Sequence, residues 1–230
     1  MISSKFILPF IGILVLISCS KVPISNRKQM HLLNESQLIQ MSELQYEEFM
    51  STAQVLPSTH PQSKKIQRIG EKVQHAAEKF LKDNGHQHRI DGFVWEYKTV
   101  ESEVLNAWCM PGGKVCFYTG LIEMADNEDQ IAAVMGHEIA HAIAKHGNER
   151  MSQQLALNGL MKLSGIGQQD SVKTKTAFDY VFTGSASLGM LKFSRVHETE
   201  SDKLGLVFMK AFNLKPKGIP RFFNSSKFSS

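Results

Sequence analysis

Three cysteines in 230 residues are too few for a dense disulfide framework, so the fold must be held by a core. Charge of one sign is barely in excess. The formal net charge of +4 is too small to argue for a nucleic-acid partner. Long apolar runs are scarce: the run from Phe6 to Ile17 behind Lys5, broken by Pro9 and Gly12, is clearly shorter than the roughly 20 residues a membrane-spanning helix needs. There is no internal repeat and no low-complexity block. What remains is a chain with 42% hydrophobic residues, which suits one globular domain with short appendages.

The N-terminal run has the length of a secretory signal's apolar region. It ends in Leu16-Ile17-Ser18-Cys19, a small residue before a cysteine, which resembles the lipobox of bacterial lipoproteins. That resemblance implies residues 1–18 as a lipoprotein signal peptide, cleavage before Cys19 and acylation of Cys19. Ser20 follows where an aspartate would imply retention in the inner membrane, so the expected site is the cell envelope, at the outer membrane facing the periplasm. Residues 19–34 are polar, contain Pro23 and show no sustained period; they read as a lipidated tether. Residues 35–230 read as the folded domain.

Within that domain, apolar residues recur at helical spacing at Leu38, Met41, Leu44, Tyr46 and Phe49, and again at Ile66, Ile69, Val73, Ala76, Ala77 and Phe80. Asn84-Gly85 stops the second helix. Phe93–Val100, Val104–Met110 and Lys114–Tyr118 are strand-like, and Pro111-Gly112-Gly113 marks a turn. If Gly112-Gly113 is a two-residue hairpin loop, Cys109 and Cys116 face each other and a disulfide is conceivable; packed thiols are the simpler reading. His86 and His88 read as a solvated loop rather than a second metal site. A long helix starts at Asn127, with Gln130 three positions on as in a capping box, and runs to about Lys145. Helices then fill residues 149–211. Helices, a small sheet and more helices make an α+β domain.

His137-Glu138-Ile139-Ala140-His141 is an HExxH motif on the long helix. Histidines at i and i+4 share a helix face, so both can reach one metal ion. Glu138 is placed to act as general base toward a water at that ion without being a ligand. Zinc needs a third protein ligand. His197, Glu198, Glu200 and Asp202 all stand on one probable helix, and spacing alone does not choose among them.

HExxH followed by Ser194-Arg195-x-x-Glu198-x-x-x-Asp202 resembles peptidase family M48, the HtpX-like and CAAX-prenyl-protease-type zinc peptidases. The stretch from Asn106 to Leu121 and the run His146-Gly147-Asn148-Glu149-Arg150 resemble the family's sequence on either side of the metal helix. The resemblance implies a mostly helical, zincin-like (gluzincin) fold with a small sheet beside the HExxH helix. It implies one zinc ion per chain held by His137, His141 and Glu198, with Asp202 behind a ligand. It also implies a substrate cleft lined by the strand at Asn106, Ala107 and Trp108. Ser201 stands where the family usually has alanine. No histidine follows His197 and no tyrosine follows Tyr180, so the downstream oxyanion donor common in gluzincins lacks a counterpart, with Arg221 as a substitute and a shortened C-terminus implied. The expected function is a zinc endopeptidase acting on misfolded or damaged envelope polypeptides; the alternative is a non-catalytic lipoprotein chaperone or assembly factor.

Overall fold

The computed structural model describes residues 19–164 and 194–211. The proposed signal peptide, Tyr180 and Arg221 lie outside these residues. The described elements are β1 (Cys19–Lys21), β2 (Lys28–Met30), α1 (Glu35–Thr52), α2 (Pro61–Asp83), a 3-10 turn (Gln87–Ile90), β3 (Glu96–Val100), β4 (Ala107–Met110), β5 (Lys114–Tyr118), α3 (Thr119–Met124), α4 (Glu128–Ile143), α5 (His146–Ser164) and α6 (Arg195–Ala211). Helix dominates and the larger sheet has three strands, so the domain is α+β as expected. Among the described residues no helix is long and apolar enough to cross a membrane.

Local sequence accounts for the helix starts. Asn34 caps α1 by accepting from the Ser36 N–H. His60 caps α2 through its side chain, with Pro61 in the first turn, where a missing N–H costs nothing. Asn127 caps α4 by accepting from the Gln130 N–H at 3.1 Å. The Gln130 side chain reaches back one residue further than a standard capping box, accepting from the Asp126 N–H at 2.8 Å. The buried stripe of α2 runs Ile66, Ile69, Val73, Ala76, Ala77 and Leu81, a helical period that fixes which face meets the sheet and α4.

The sheet order is β3-β5-β4. β3 lies parallel to β5, with Glu96 opposite Lys114 and Val100 opposite Tyr118. β4 lies antiparallel to β5, with Met110 opposite Lys114 and Ala107 opposite Phe117. The β4–β5 loop therefore has three residues, Pro111, Gly112 and Gly113, the glycines at φ 96° and 88°, where L side chains are strained. This corrects the two-residue loop. Cys109 faces Val115 and Cys116 faces Trp108, so the cysteines point to opposite sides of the sheet. Both are free, buried thiols.

The two faces serve different cores. Ala107, Cys109, Val115 and Phe117 join α2 and α4 in the main core. Trp108, Met110, Cys116 and Tyr118 pack on Tyr46 and Phe49 of α1, with the Phe49 and Trp108 rings edge-on at 5.5 Å.

The expected tether is also corrected. Cys19–Lys21 pairs with Lys28–Met30 as an antiparallel hairpin. Val22 is buried in the main core, and the Gln29 side chain donates to Ala144 O at 2.7 Å and to Glu149 Oε2 at 2.8 Å. Arg89, buried beneath the hairpin, donates to Lys21 O, Ile143 O and Ala144 O. It thereby ties the hairpin to the carbonyl end of α4, where a cation is favoured.

Candidate metal centre

α4 and α6 cross at two glycines. A Cβ at Gly205 would come within 3.0 Å of His137 N, and one at Gly136 within 3.3 Å of Gly205 O. Side chains at a helix crossing set the interaxial distance, so the paired glycines let the backbones approach closely. Glu198 and Asp202 stand seven and three residues before Gly205, on the same helical face, and that face is turned toward His137 and His141.

The donor atoms of His137, His141 and Glu198 all lie within 4.8 Å of one another. His137 Nε2 is 3.0 Å from His141 Nε2. Glu198 Oε2 is 3.3 Å from His137 Nε2, and Glu198 Oε1 is 3.5 Å from His141 Nε2. Ligands at zinc distances on a tetrahedron are separated by about 3.3–3.4 Å, so three corners of such a figure are in place. Two imidazoles and one carboxylate are a donor set that suits zinc and leaves a fourth position open. Among the described residues this is the one such cluster. The His86 and His88 rings lie 6.3 Å apart and are not part of this cluster.

The electrostatics favour a cation between these groups. Burial disfavours charge on His137, but the Asp202 and Glu198 carboxylates outweigh it and hold the ring's pKa up at about 10. The two carboxylates thus favour positive charge at this ring. His141 is pushed well below its ordinary value by burial and by the neighbouring rings of His137, His146 and His197, so it stays neutral, the form that ligates. Asp202 Oδ1 accepts from His137 Nδ1 at 2.8 Å, which turns Nε2 toward the cluster. Glu138 is not among the three converging donors. Burial, reinforced by the Glu198 carboxylate and opposed by His137, raises its pKa to about 7, a value suited to taking up and returning a proton.

The other carboxylate and the histidine of α6 point away. His197 Nε2 donates to Glu149 Oε2 at 3.1 Å, and Glu200 Oε2 lies 3.1 Å from His146 Nε2. Sequence reasoning weighed His197 and Glu200 as ligands and missed the network they form with His146, Glu149 and Arg27. A possible signal was the concentration of charge and histidine in His146–Arg150. Of the expected cleft residues, Asn106 immediately precedes and Ala107 begins β4, an outer strand of the sheet, whereas the Trp108 ring is buried on the α1 side.

The model of peptidase family M48 matches residues 64–230. The mitochondrial metalloendopeptidase OMA1 of Schizosaccharomyces pombe is 30% identical over 190 residues, 82% of this chain and 51% of that protein. OMA1 of Arabidopsis thaliana is 29% identical over 66% of this chain and 30% of its own length. The beta-barrel assembly-enhancing protease of Escherichia coli is 28% identical over 127 residues, 54% of this chain and 26% of that protein. The chain thus spans about half or less of each of these relatives. The HExxH helix, the glutamate brought to it by α6 and the match over most of the folded domain lead to one conclusion: the chain belongs to peptidase family M48.

Proposed function

We propose that this chain is a zinc-dependent endopeptidase of the bacterial cell envelope that cleaves misfolded or damaged polypeptides. The observation that carries the reading is the convergence of His137, His141 and Glu198 with Glu138 beside them. The relatives, two metalloendopeptidases and a protease by name, support the same chemistry.

His137 and His141, through Nε2, and Glu198 would hold one zinc ion. When bound, zinc supplies Lewis acidity and lowers the pKa of water. Glu138 takes the proton of the attacking water and passes it to the leaving amine, so one carboxylate serves as base and then acid. Asp202 keeps His137 oriented through the 2.8 Å hydrogen bond. β4 lies at an edge of the sheet, and an extended substrate running beside Asn106 and Ala107 would be read mainly through its backbone, which is tolerant of sequence. Cleavage before Cys19 and acylation there would anchor the enzyme to a membrane facing the periplasm. A polypeptide and a lipid surface are then its partners, and nucleic acid is not.

The test compares wild type with Glu138→Gln for zinc content and casein cleavage. Both should carry about one zinc per chain, and only the wild type should cut. A wild type that holds zinc yet leaves casein intact would favour the non-catalytic chaperone or assembly role instead.

A further inference from the structure

One ring nitrogen of each metal-facing histidine must carry a proton if the other is to ligate. For His137 the partner is Asp202. For His141 the partner at Nδ1 is another histidine, His146, with the two Nδ1 atoms 3.0 Å apart. Two imidazole nitrogens can share a hydrogen bond only if one donates and the other accepts. What decides the direction lies further out.

His146 Nε2 sits 3.1 Å from Glu200 Oε2. Arg27 donates to Glu200 through Nε at 2.9 Å and through a terminal nitrogen at 2.8 Å, and Ser25 Oγ donates to it at 2.5 Å. Fixed among donors, the Glu200 carboxylate accepts, so His146 Nε2 carries the N–H. A neutral imidazole has one N–H. His146 Nδ1 is therefore the lone pair, and it accepts from His141 Nδ1–H. That leaves His141 Nε2 as a lone pair turned toward His137 and Glu198. Arg27 also holds Glu149, at 2.5 and 2.8 Å, which anchors the guanidinium in both directions.

We propose that Arg27, Glu200 and His146 form a relay from the N-terminal hairpin that sets the tautomer and orientation of His141, making residues 25–29 part of the metal site. The inference rests on the reading of His137, His141 and Glu198 as zinc ligands. His146 is completely buried, while the Arg27 side chain is 28% exposed, so the relay runs from the protein's surface to the ligand. Its three members are positioning residues: none of them faces the metal cluster.

The test measures zinc affinity of the full chain by competition with a chromophoric chelator, using the metal alone as probe. Loss of a group that orients a ligand typically lowers metal affinity about 10–100-fold. His146→Leu keeps volume but removes the ring's hydrogen bonds to His141, Glu200 and Ser201 and should lose affinity in that range. His146→Gln, which offers an amide oxygen to His141 and an N–H to Glu200, should recover most of it; a residue needed only for packing would show the reverse order. Arg27→Gln, at the solvent end, should lower affinity by about tenfold and decides the matter should His146→Leu not fold. Arg68→Ala, which removes an exposed ion pair with Glu128, should bind zinc as the wild type does. A wild type that takes up no zinc overturns the ligand assignment and the relay together. Wild-type affinity in both His146→Leu and Arg27→Gln, with zinc bound normally by the parent, overturns the relay alone.

Discussion

At the scale of single residues, ligands and their supports should separate by the size of the loss. His137→Ala, His141→Ala and Glu198→Ala each remove a corner of the donor triangle and should abolish stoichiometric zinc, measured by metal analysis after gel filtration. Full zinc in Glu198→Ala would show that another carboxylate is the ligand. Asp202 accepts from His137 Nδ1 and is not among the converging donors, so Asp202→Asn should weaken zinc by about 10–100-fold while leaving some bound. A chelator titration should rank wild type, Asp202→Asn and Glu198→Gln in that order. Equality of Asp202→Asn with wild type would leave the carboxylate no role. The residue types and the i, i+4 spacing made the two histidines legible without coordinates. The choice among His197, Glu198, Glu200 and Asp202 was not, because it depends on the rotation of α6 about its axis relative to α4. That rotation is set by the contact of Gly205 with Gly136, which no local pattern announces.

At the scale of elements, the crossing of α4 and α6 is the device that assembles the site. Gly205→Ala would place a Cβ 3.0 Å from His137 N and 3.1 Å from Gly136 C, and backbone cannot step aside cheaply. Overpacking of this kind costs about 1–3 kcal/mol, so the melting temperature should fall and zinc affinity should fall with it. An unchanged melting curve would show that the crossing has slack. The helices were readable from period and caps, and the strands from alternation and the Pro-Gly-Gly turn. The register of β4 on β5 was not, since loops of two and three residues fit the same sequence and differ by a one-residue slip. The hairpin of β1 and β2 was missed for a different reason. Its polar residues find partners more than a hundred positions away, as Arg27 does in Glu149 and Glu200, and composition alone makes such a segment look unstructured. The hairpin also carries a pH dependence. Burial, with Arg89 and Lys145 adding to it, lowers the pKa of His31 to about 4, against about 6.5 in an unfolded chain. Folding therefore favours the neutral ring. Its contribution is complete above pH 6.5 and is lost as pH falls through about 4. The melting temperature of wild type should drop across that window by more than that of His31→Gln; parallel curves would exclude His31 as the cause.

At the scale of the whole molecule, the hairpin alters what a lipid on Cys19 would do. A flexible tether of n residues spreads over about 5–6 Å × √n, which would let an anchored enzyme range over the membrane surface. Here β1 begins at Cys19 itself, and the hairpin is tied to α4, α5 and α6 through Gln29 and Arg27. Under the proposed acylation, the described fold leaves no slack between the modified residue and the domain, so the metal cluster is held at a fixed height above the lipid. Two consequences separate this arrangement from a loose tether. Wild type expressed in a lipoprotein-processing bacterium should sediment with membranes and carry acyl groups on Cys19 by mass spectrometry, while Cys19→Ala should lose both. A flexible segment of about 20 glycine and serine residues inserted between Ser20 and Lys21 would break the hairpin, so the insertion belongs directly after Cys19, where it adds roughly 25 Å of reach. That variant should keep zinc affinity, because residues 20–30 are intact, and should gain access to a substrate displayed far from the membrane on a long stalk. Equal cleavage of the distant substrate by both forms would mean that the domain is not held down. An unmodified Cys19 at a free N-terminus would remove the anchor altogether, while leaving the hairpin's contacts with the metal helix as they stand.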